Sequence, residues 1–228
     1  VGTSEVLKQD LGKSTRSLID LSLNHDKRDS IIKPTKGYMI KFGSEIAGLG
    51  GDEQFVKSKA SGKIYQGIYG NNIIFSTEIE GGILTMNKGY SKVVDRFVLG
   101  GRSFRGFKYS GIGPRELDGG QYTIPLGGEK YAIARFAASF PLGLPRELGL
   151  YGSVFAEAGS LWDIKTDPNV AGLSDKIALT ERALRTSIGF AMNWETPIGP
   201  LQFNWSRPQK YLDADSLEYF SLNLATRF

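Results

Sequence analysis

"RTSIGFAMNWETPIGPLQFNWSRP", residues 185–208, is the stretch whose reading decides the fold. Ile188, Phe190, Met192 and Trp194 alternate with Ser187, Gly189, Ala191 and Asn193. After a tight TPIG link, Leu201, Phe203 and Trp205 alternate with Gln202, Asn204 and Ser206. An apolar period of two puts one face of an extended chain in greasy surroundings and the other in wet ones, which predicts a β-hairpin. The terminal EYFSLNLATRF keeps the pattern, with Phe220, Leu222, Leu224, Thr226 and Phe228 on one face. Upstream, Phe136, Ala138 and Phe140 oppose Arg135, Ala137 and Ser139, while Ile73, Phe75, Thr77 and Ile79 oppose Ser76, Glu78 and Glu80. Tyr38, Ile40 and Phe42 against Lys41 do the same. Strands are predicted at about 16–24, 37–48, 55–69, 72–86, 129–140, 147–161, 184–196, 199–207 and 218–228, an antiparallel all-β fold with helix as the minority state.

Composition agrees. The chain has 228 residues, enough for one all-β domain of ordinary size, with 40% hydrophobic residues, 11% aromatics and 29 glycines, a mixture suited to strands and tight turns. No cysteine occurs, so disulfides, thiolate metal sites and thiol catalysis are excluded. The net charge of +4 is spread along the chain, whereas nucleic-acid binders concentrate Lys and Arg on one face; no nucleic-acid partner is expected. VGTSEVLKQDLGK at the amino end carries no basic segment followed by an apolar run and reads as a cut end. Nowhere do eighteen apolar residues run together, which excludes a membrane helix but not a barrel, whose strands need only about 9–11 residues.

Connection lengths carry a second signal. Tight links at 69–72, 141–146 and 196–199 take turns with long ones at 87–128, 162–183 and 208–217, so short and long ends lie on opposite sides of the sheet. That asymmetry is the pattern of an outer-membrane barrel. A soluble antiparallel barrel or sandwich would show the same alternation, with the apolar face in a dry core. Small and charged residues on the polar parity (Gly189, Ala191, Gly159, Glu157, Arg135) and aromatics near strand ends (Trp194, Trp205, Phe228) favour lipid outside and a wet lumen within.

One long connection, GGRSFRGFKYSGIGPRE (100–116), reads as neither helix nor strand. Its glycines invite comparison with a phosphate loop, but no helix follows and no GK[ST] ends it; Gly12-Lys13-Ser14 lacks the upstream glycine. His25, beside Asp26 and Asp29, is the single histidine, and no nucleophile elbow accompanies it. Asn204-Trp205-Ser206 forms a glycosylation sequon in mid-strand. None of these groupings supports covalent chemistry, cofactor binding or a metal site.

The long loop, followed by FAEAGSLWD (155–163), RTSIGFAMNWETPIGPLQFNWSRP (185–208) and a last strand ending in Phe228, resembles the carboxy-terminal half of the BamA-type outer-membrane assembly barrels, the bacterial surface antigen family. LNHDKRDSIIKPTKGYMIKFG (23–43) resembles that family's strand–turn–strand with D-x-R-D and P-T-x-G elements, so the likeness runs from about residue 15 to the end. The resemblance implies a transmembrane β-barrel portion, about nine strands of sixteen, with residues 1–228 as the carboxy-terminal part and the earlier strands and periplasmic POTRA repeats outside it.

It also implies roles. The family's sixth extracellular loop carries an R-G-F/Y element folded into the lumen, matched by Ser103, Phe104, Arg105, Gly106 and Phe107. Glu157 occupies the acidic position of its F-x-D-x-G element, so an Arg105–Glu157 contact is expected. A second family acid falls on Ala137, a departure that leaves Arg135 free to compete for Glu157, or Glu78 or Glu80 to stand in. The implied function is non-enzymatic: assembly and insertion of β-barrel proteins in the bacterial outer membrane, through a seam at the last strand with Phe220, Leu222, Leu224 and Phe228 on its outer face. Implied partners are unfolded outer-membrane proteins, the lipid bilayer and accessory assembly lipoproteins. Alternatives are a polypeptide-secreting or autotransporter-assembling relative of the same superfamily, a general porin, or a soluble ligand-binding barrel.

Overall fold

In the computed structural model, which describes residues 4–8, 10–165, 172–196 and 199–224, the alternating segments are strands. After a single turn of helix, α1 (Glu5–Lys8), they run β1 (Arg16–Asp26), β2 (Lys36–Gly51), β3 (Gln54–Ile68), β4 (Ile73–Lys88), β5 (Arg115–Asp118), β6 (Gln121–Pro125), β7 (Lys130–Pro141), β8 (Leu150–Trp162), β9 (Ile177–Ala178), β10 (Arg185–Thr196), β11 (Gly199–Lys210) and β12 (Phe220–Leu224). Nine of them form one antiparallel sheet in the order β1-β2-β3-β4-β7-β8-β10-β11-β12. These are the nine segments expected from periodicity, displaced by a few residues at their ends, with the last four positions of the expected 218–228 strand lying outside the described residues. β5, β6 and β9 make a small second sheet, β6-β5-β9, inside the long connections; at two to five residues each they are too short for alternation to register. Among the described residues β1 and β12 do not pair with each other, so the sheet is open.

The sheet is strongly curled. Lys33, in the turn between β1 and β2, reaches Glu195 at the end of β10 at 2.6 Å. β2 and β10 are five strands apart, which in a flat sheet would separate them by about 24 Å.

Curling gives the sheet an inner and an outer face, and parity assigns each side chain to one of them. Ile188, Trp205 and Leu222 are 47%, 45% and 55% exposed, and Ile40, Ile64, Ile79, Phe136 and Val154 share that outer surface. A continuous apolar belt of this extent is foreign to a soluble monomer and suits acyl chains. The sandwich alternative required these residues in a dry centre, and they are not there. On the opposite parity Ser153, Glu157, Ser187, Asn193 and Asn204 are buried.

What buries them in part is the connection from β4 to β7. Residues 89–129 fold back against the concave face, where Phe97, Leu99, Phe104, Phe107 and Ile112 join Phe55, Leu84, Tyr131, Ile133 and Leu161 in one buried cluster. Phe97 and Gly128 exchange two 2.9 Å backbone hydrogen bonds that pin the loop's base. Each aromatic removed from water contributes roughly 1.5–3 kcal/mol, so the loop is held by packing as well as by charge. A second cluster, Val6, Leu126 and Leu173 with Val93, Ile164 and Ile177, lies among the amino-terminal segment and the long connections.

Candidate functional site in the lumen

The loop presents its tip through a tight turn. Gly101 N–H donates to the Phe107 carbonyl at 2.7 Å and Ser103 N–H to the Gly100 carbonyl at 3.2 Å. The Ser103 hydroxyl donates to that same carbonyl at 2.9 Å and accepts from Gly100 N–H at 3.1 Å. Phe104 and Phe107, both wholly buried, pack with ring centroids 4.9 Å apart and anchor the turn from below. Gly106 has φ +93°, and a Cβ there would stand 3.0 Å from Ser187 Cβ and 3.3 Å from Pro208 Cγ on the barrel wall. Glycine therefore serves both the left-handed backbone and the close approach.

The turn delivers Arg105 to Glu157 on β8. Arg105 Nε donates to Glu157 Oε1 at 2.7 Å, an Nη2 lies 2.6 Å from the same oxygen, and the Arg105 backbone N–H donates to Oε2 at 2.8 Å. One carboxylate thus takes the head and the main chain of a single residue, fixing position as well as charge. The side chains are 13% and 2% exposed. A charge-assisted pair this dry is strong only while both partners remain, and removing one leaves a buried charge uncompensated.

Two further wall residues complete the socket. The guanidinium carbon lies 3.4 Å from the centroid of the Phe155 ring, a cation–π contact. Phe155 can lie flat because its ladder partner is Gly189, where a Cβ would come within 2.4 Å of the ring. Ser187 Oγ donates to the Arg105 carbonyl at 2.6 Å.

Arg135 is engaged elsewhere than at Glu157. Its Nε and Nη2 donate to the Ser103 carbonyl at 3.0 and 2.7 Å, while Nη1 reaches Glu80 at 2.8 Å and Glu78 at 3.3 Å. Tyr131 O–H donates to Glu80 at 2.6 Å. So Arg135 grips the same loop one residue pair upstream, with β4 supplying acids where Ala137 has none.

The loop's entrance is tied separately. Arg16 Nε donates to Glu53 at 2.6 Å, its Nη1 lies 2.8 Å from Asp95, and Lys92 Nζ meets Glu53 at 2.5 Å. Burial raises the Glu53 carboxyl, but Lys92, Ser14 and Arg16 outweigh it and bring the group from 4.5 down to about 2. On β12, Phe220, Leu222 and Leu224 face outward and are exposed, whereas Phe228 lies outside the described residues.

The five residues Ser103 to Phe107 and Glu157 therefore meet in one place, on the opposite face of the sheet from the side chains of Phe220, Leu222 and Leu224. Sequence reading overlooked Phe155 and Ser187 as socket residues. Their signal was present: an aromatic and a hydroxyl on the wet parity of neighbouring strands, with a glycine opposite the aromatic.

Residues 3–228 match the family model of the Omp85 superfamily domain. Among curated relatives, the outer membrane protein assembly factor BamA of Neorickettsia risticii (strain Illinois) is 29% identical over 199 residues, covering 87% of this chain and 25% of that protein. BamA of Neisseria meningitidis serogroup B is 30% identical over 229 residues, covering 89% and 28%. A SAM50-like protein of Schizosaccharomyces pombe is 31% identical over 217 residues, covering 90% and 43%. Among solved structures, BamA from Haemophilus ducreyi lacking POTRA domains 1–3 superposes with a TM-score of 0.76 at 19% identity, over 90% of this chain and 41% of that one. The chain thus spans about a quarter of the bacterial relatives' length.

Proposed function

This chain belongs to the Omp85 superfamily, and from that premise we propose that it is the carboxy-terminal part of an outer-membrane β-barrel that inserts other β-barrel proteins into its own bilayer. The bacterial relatives named above are outer membrane protein assembly factors, and the reading extends that role here. The observation that carries it is the Arg105–Glu157 clamp, which seats a long loop inside a lipid-belted sheet. A general porin has no need of a loop held by three donors on one carboxylate.

On this reading the work requires no covalent chemistry, cofactor or metal. A client strand arrives with unmet backbone N–H and C=O groups, each costing several kcal/mol in hydrocarbon. The edge of β12 offers the complementary groups, and pairing by β-augmentation removes that cost. The outward Phe220, Leu222 and Leu224, with Phe228 beyond the described residues, keep that strand in the lipid. Glu157, Arg105, Gly106, Ser103, Phe104 and Phe107 hold the loop so that the lumen does not become an open pore. The partners are unfolded outer-membrane proteins, the bilayer and accessory lipoproteins, and the location is the bacterial outer membrane.

The test is reconstitution of the full-length protein in phospholipid vesicles with an unfolded client barrel. Faster appearance of folded, protease-protected client than in empty vesicles is expected, with Arg105→Ala reducing the gain. Steady porin-like conductance without any effect on client folding would overturn the reading.

A further inference from the structure

The clamp does not end at Arg105. The residues that follow it run beside the last connection, 211–219, which feeds directly into β12. Glu218 N–H donates to the Gly106 carbonyl at 2.9 Å, Lys108 N–H to Ser216 at 2.8 Å, and Ser216 N–H to Gly111 at 2.8 Å. Between the first two bonds, Phe107 and Leu217 face each other as an antiparallel bridge, and Leu217 packs on the buried cluster that contains Phe107. This is a two-strand splint joining the lumen loop to the approach of the terminal strand.

A buried ion pair pins the same connection to the wall. Arg185, at the start of β10, donates through Nε and Nη2 to Asp215 at 3.0 and 3.1 Å, and both side chains are wholly buried. Asp215 also accepts from Leu212 N–H at 2.7 Å. Arg115, from the outgoing arm of the loop, donates to the Ser216 hydroxyl at 3.2 Å and to the Gly111 carbonyl at 3.0 Å.

The loop touches the strand itself as well. Ser206 N–H donates to the Tyr219 carbonyl at 2.8 Å. Antiparallel pairs alternate, so Tyr219, Ser221 and Asn223 direct their backbone groups at β11, and Phe220, Leu222 and Leu224 direct theirs away from it. The Arg102 guanidinium, three residues before Arg105, donates to that outward-directed Leu224 carbonyl. Arg102 stands where the amide of an added strand would bind.

Among the described residues β12 shares five ladder positions with β11, against eleven between β10 and β11. The splint's backbone bonds and the Arg102 contact add to those five positions.

We propose that the lumen loop and the terminal strand are one mechanical unit: Arg105 seated on Glu157 holds residues 106–111 against 215–218, and release of the loop loosens β12 and uncovers its edge. Arg102, Arg115, Arg185 and Asp215 are the positioning residues of this linkage. The proposal deepens the assembly reading, because it makes access to the edge of β12 depend on the loop.

Hydrogen exchange on the full-length protein in bilayers, with no client present, tests it. Arg105→Gln and, separately, Glu157→Gln release the loop; Asp215→Asn weakens the pin while leaving Arg105 in place. The expected result is exchange roughly tenfold faster in residues 216–224 for all three variants, with β2 and β3, which carry none of the substituted residues, unchanged. Combining Arg105→Gln with Asp215→Asn should add little beyond the larger single effect. Faster exchange in 100–108 with β12 unaffected would overturn the proposal, and so would a uniform rise across the sheet, which would make the loop a general support. Client folding is measured on the same samples. Coupled exchange without any client folding would sustain the linkage while removing the assembly reading, so the two fail separately.

Discussion

Arg135 and Glu157 are ladder partners across β7 and β8, and each holds a different residue of the same loop. Arg135 takes the Ser103 carbonyl and Glu157 takes Arg105. Adjacent wall residues of opposite charge thus grip the loop through opposite kinds of partner, an acceptor for the base and a donor for the acid. That division leaves Glu157 to receive Arg105 while its ladder partner Arg135 is engaged by Ser103, Glu78 and Glu80.

The clamp should show strong coupling. Arg105→Ala or Glu157→Gln each leaves a buried partner uncompensated and should cost about 3–5 kcal/mol locally. The double variant should cost much less than the sum. Thermal unfolding of the folded barrel in detergent, followed by gel mobility, measures the cycle; simple additivity would contradict the paired role.

Gly189→Ala should weaken the socket. The new Cβ would meet the Phe155 ring at 2.4 Å and the Trp205 carbonyl at 2.3 Å. Overpacking of this kind costs typically 1–3 kcal/mol. Adding Phe155→Ala should restore only part of the loss, because the clash with the backbone of β11 remains. Melting temperatures of the single and double variants decide it.

Outer-face charge should be punished and inner-face charge tolerated. Ile188→Arg places a guanidinium against acyl chains and should cost about 2–4 kcal/mol near the midplane. Ser61→Arg, on the inner parity across from Glu80, should cost far less. The folded fraction in vesicles across a urea series compares them; equal penalties would contradict the assignment of faces.

Acid should loosen the turn between β1 and β2. The Thr35 hydroxyl, with the Thr35 and Lys36 N–H groups, donates to Asp29 and holds its carboxyl at about 2, against an ordinary 3.8. A depressed folded-state value means that the contribution is complete above the ordinary value and fades as pH falls from about 4 toward 2. Carboxyl chemical shifts should titrate near the lower figure. Asp29→Asn should abolish the pH dependence of the Thr35 and Lys36 amide signals, and its persistence in that variant would assign the effect elsewhere.

Period-two alternation located nine strands and their two faces, and the alternation of short with long links located the two ends, because both are properties of consecutive residues. Arg105 and Glu157 were legible only through resemblance to a family, since 52 positions separate them and nothing local to either announces the other. Phe155, Ser187 and Arg135 sat on the correct parity, but parity names a face and not a partner. Which acid Arg135 would choose depended on strand register: Glu78 stands directly across from it on β4, and Glu80 lies two residues further along.

The amino-acid sequence by itself determined that this chain is an antiparallel sheet with one greasy and one wet face, since each side chain's face follows from counting along an extended backbone. The tertiary structure alone decided how residues 100–116 thread the curled sheet and bind residues 211–219. Those contacts join segments about a hundred positions apart, and their geometry is set by curvature, register and the space left by Gly106 and Gly189, none of which is encoded in any local pattern.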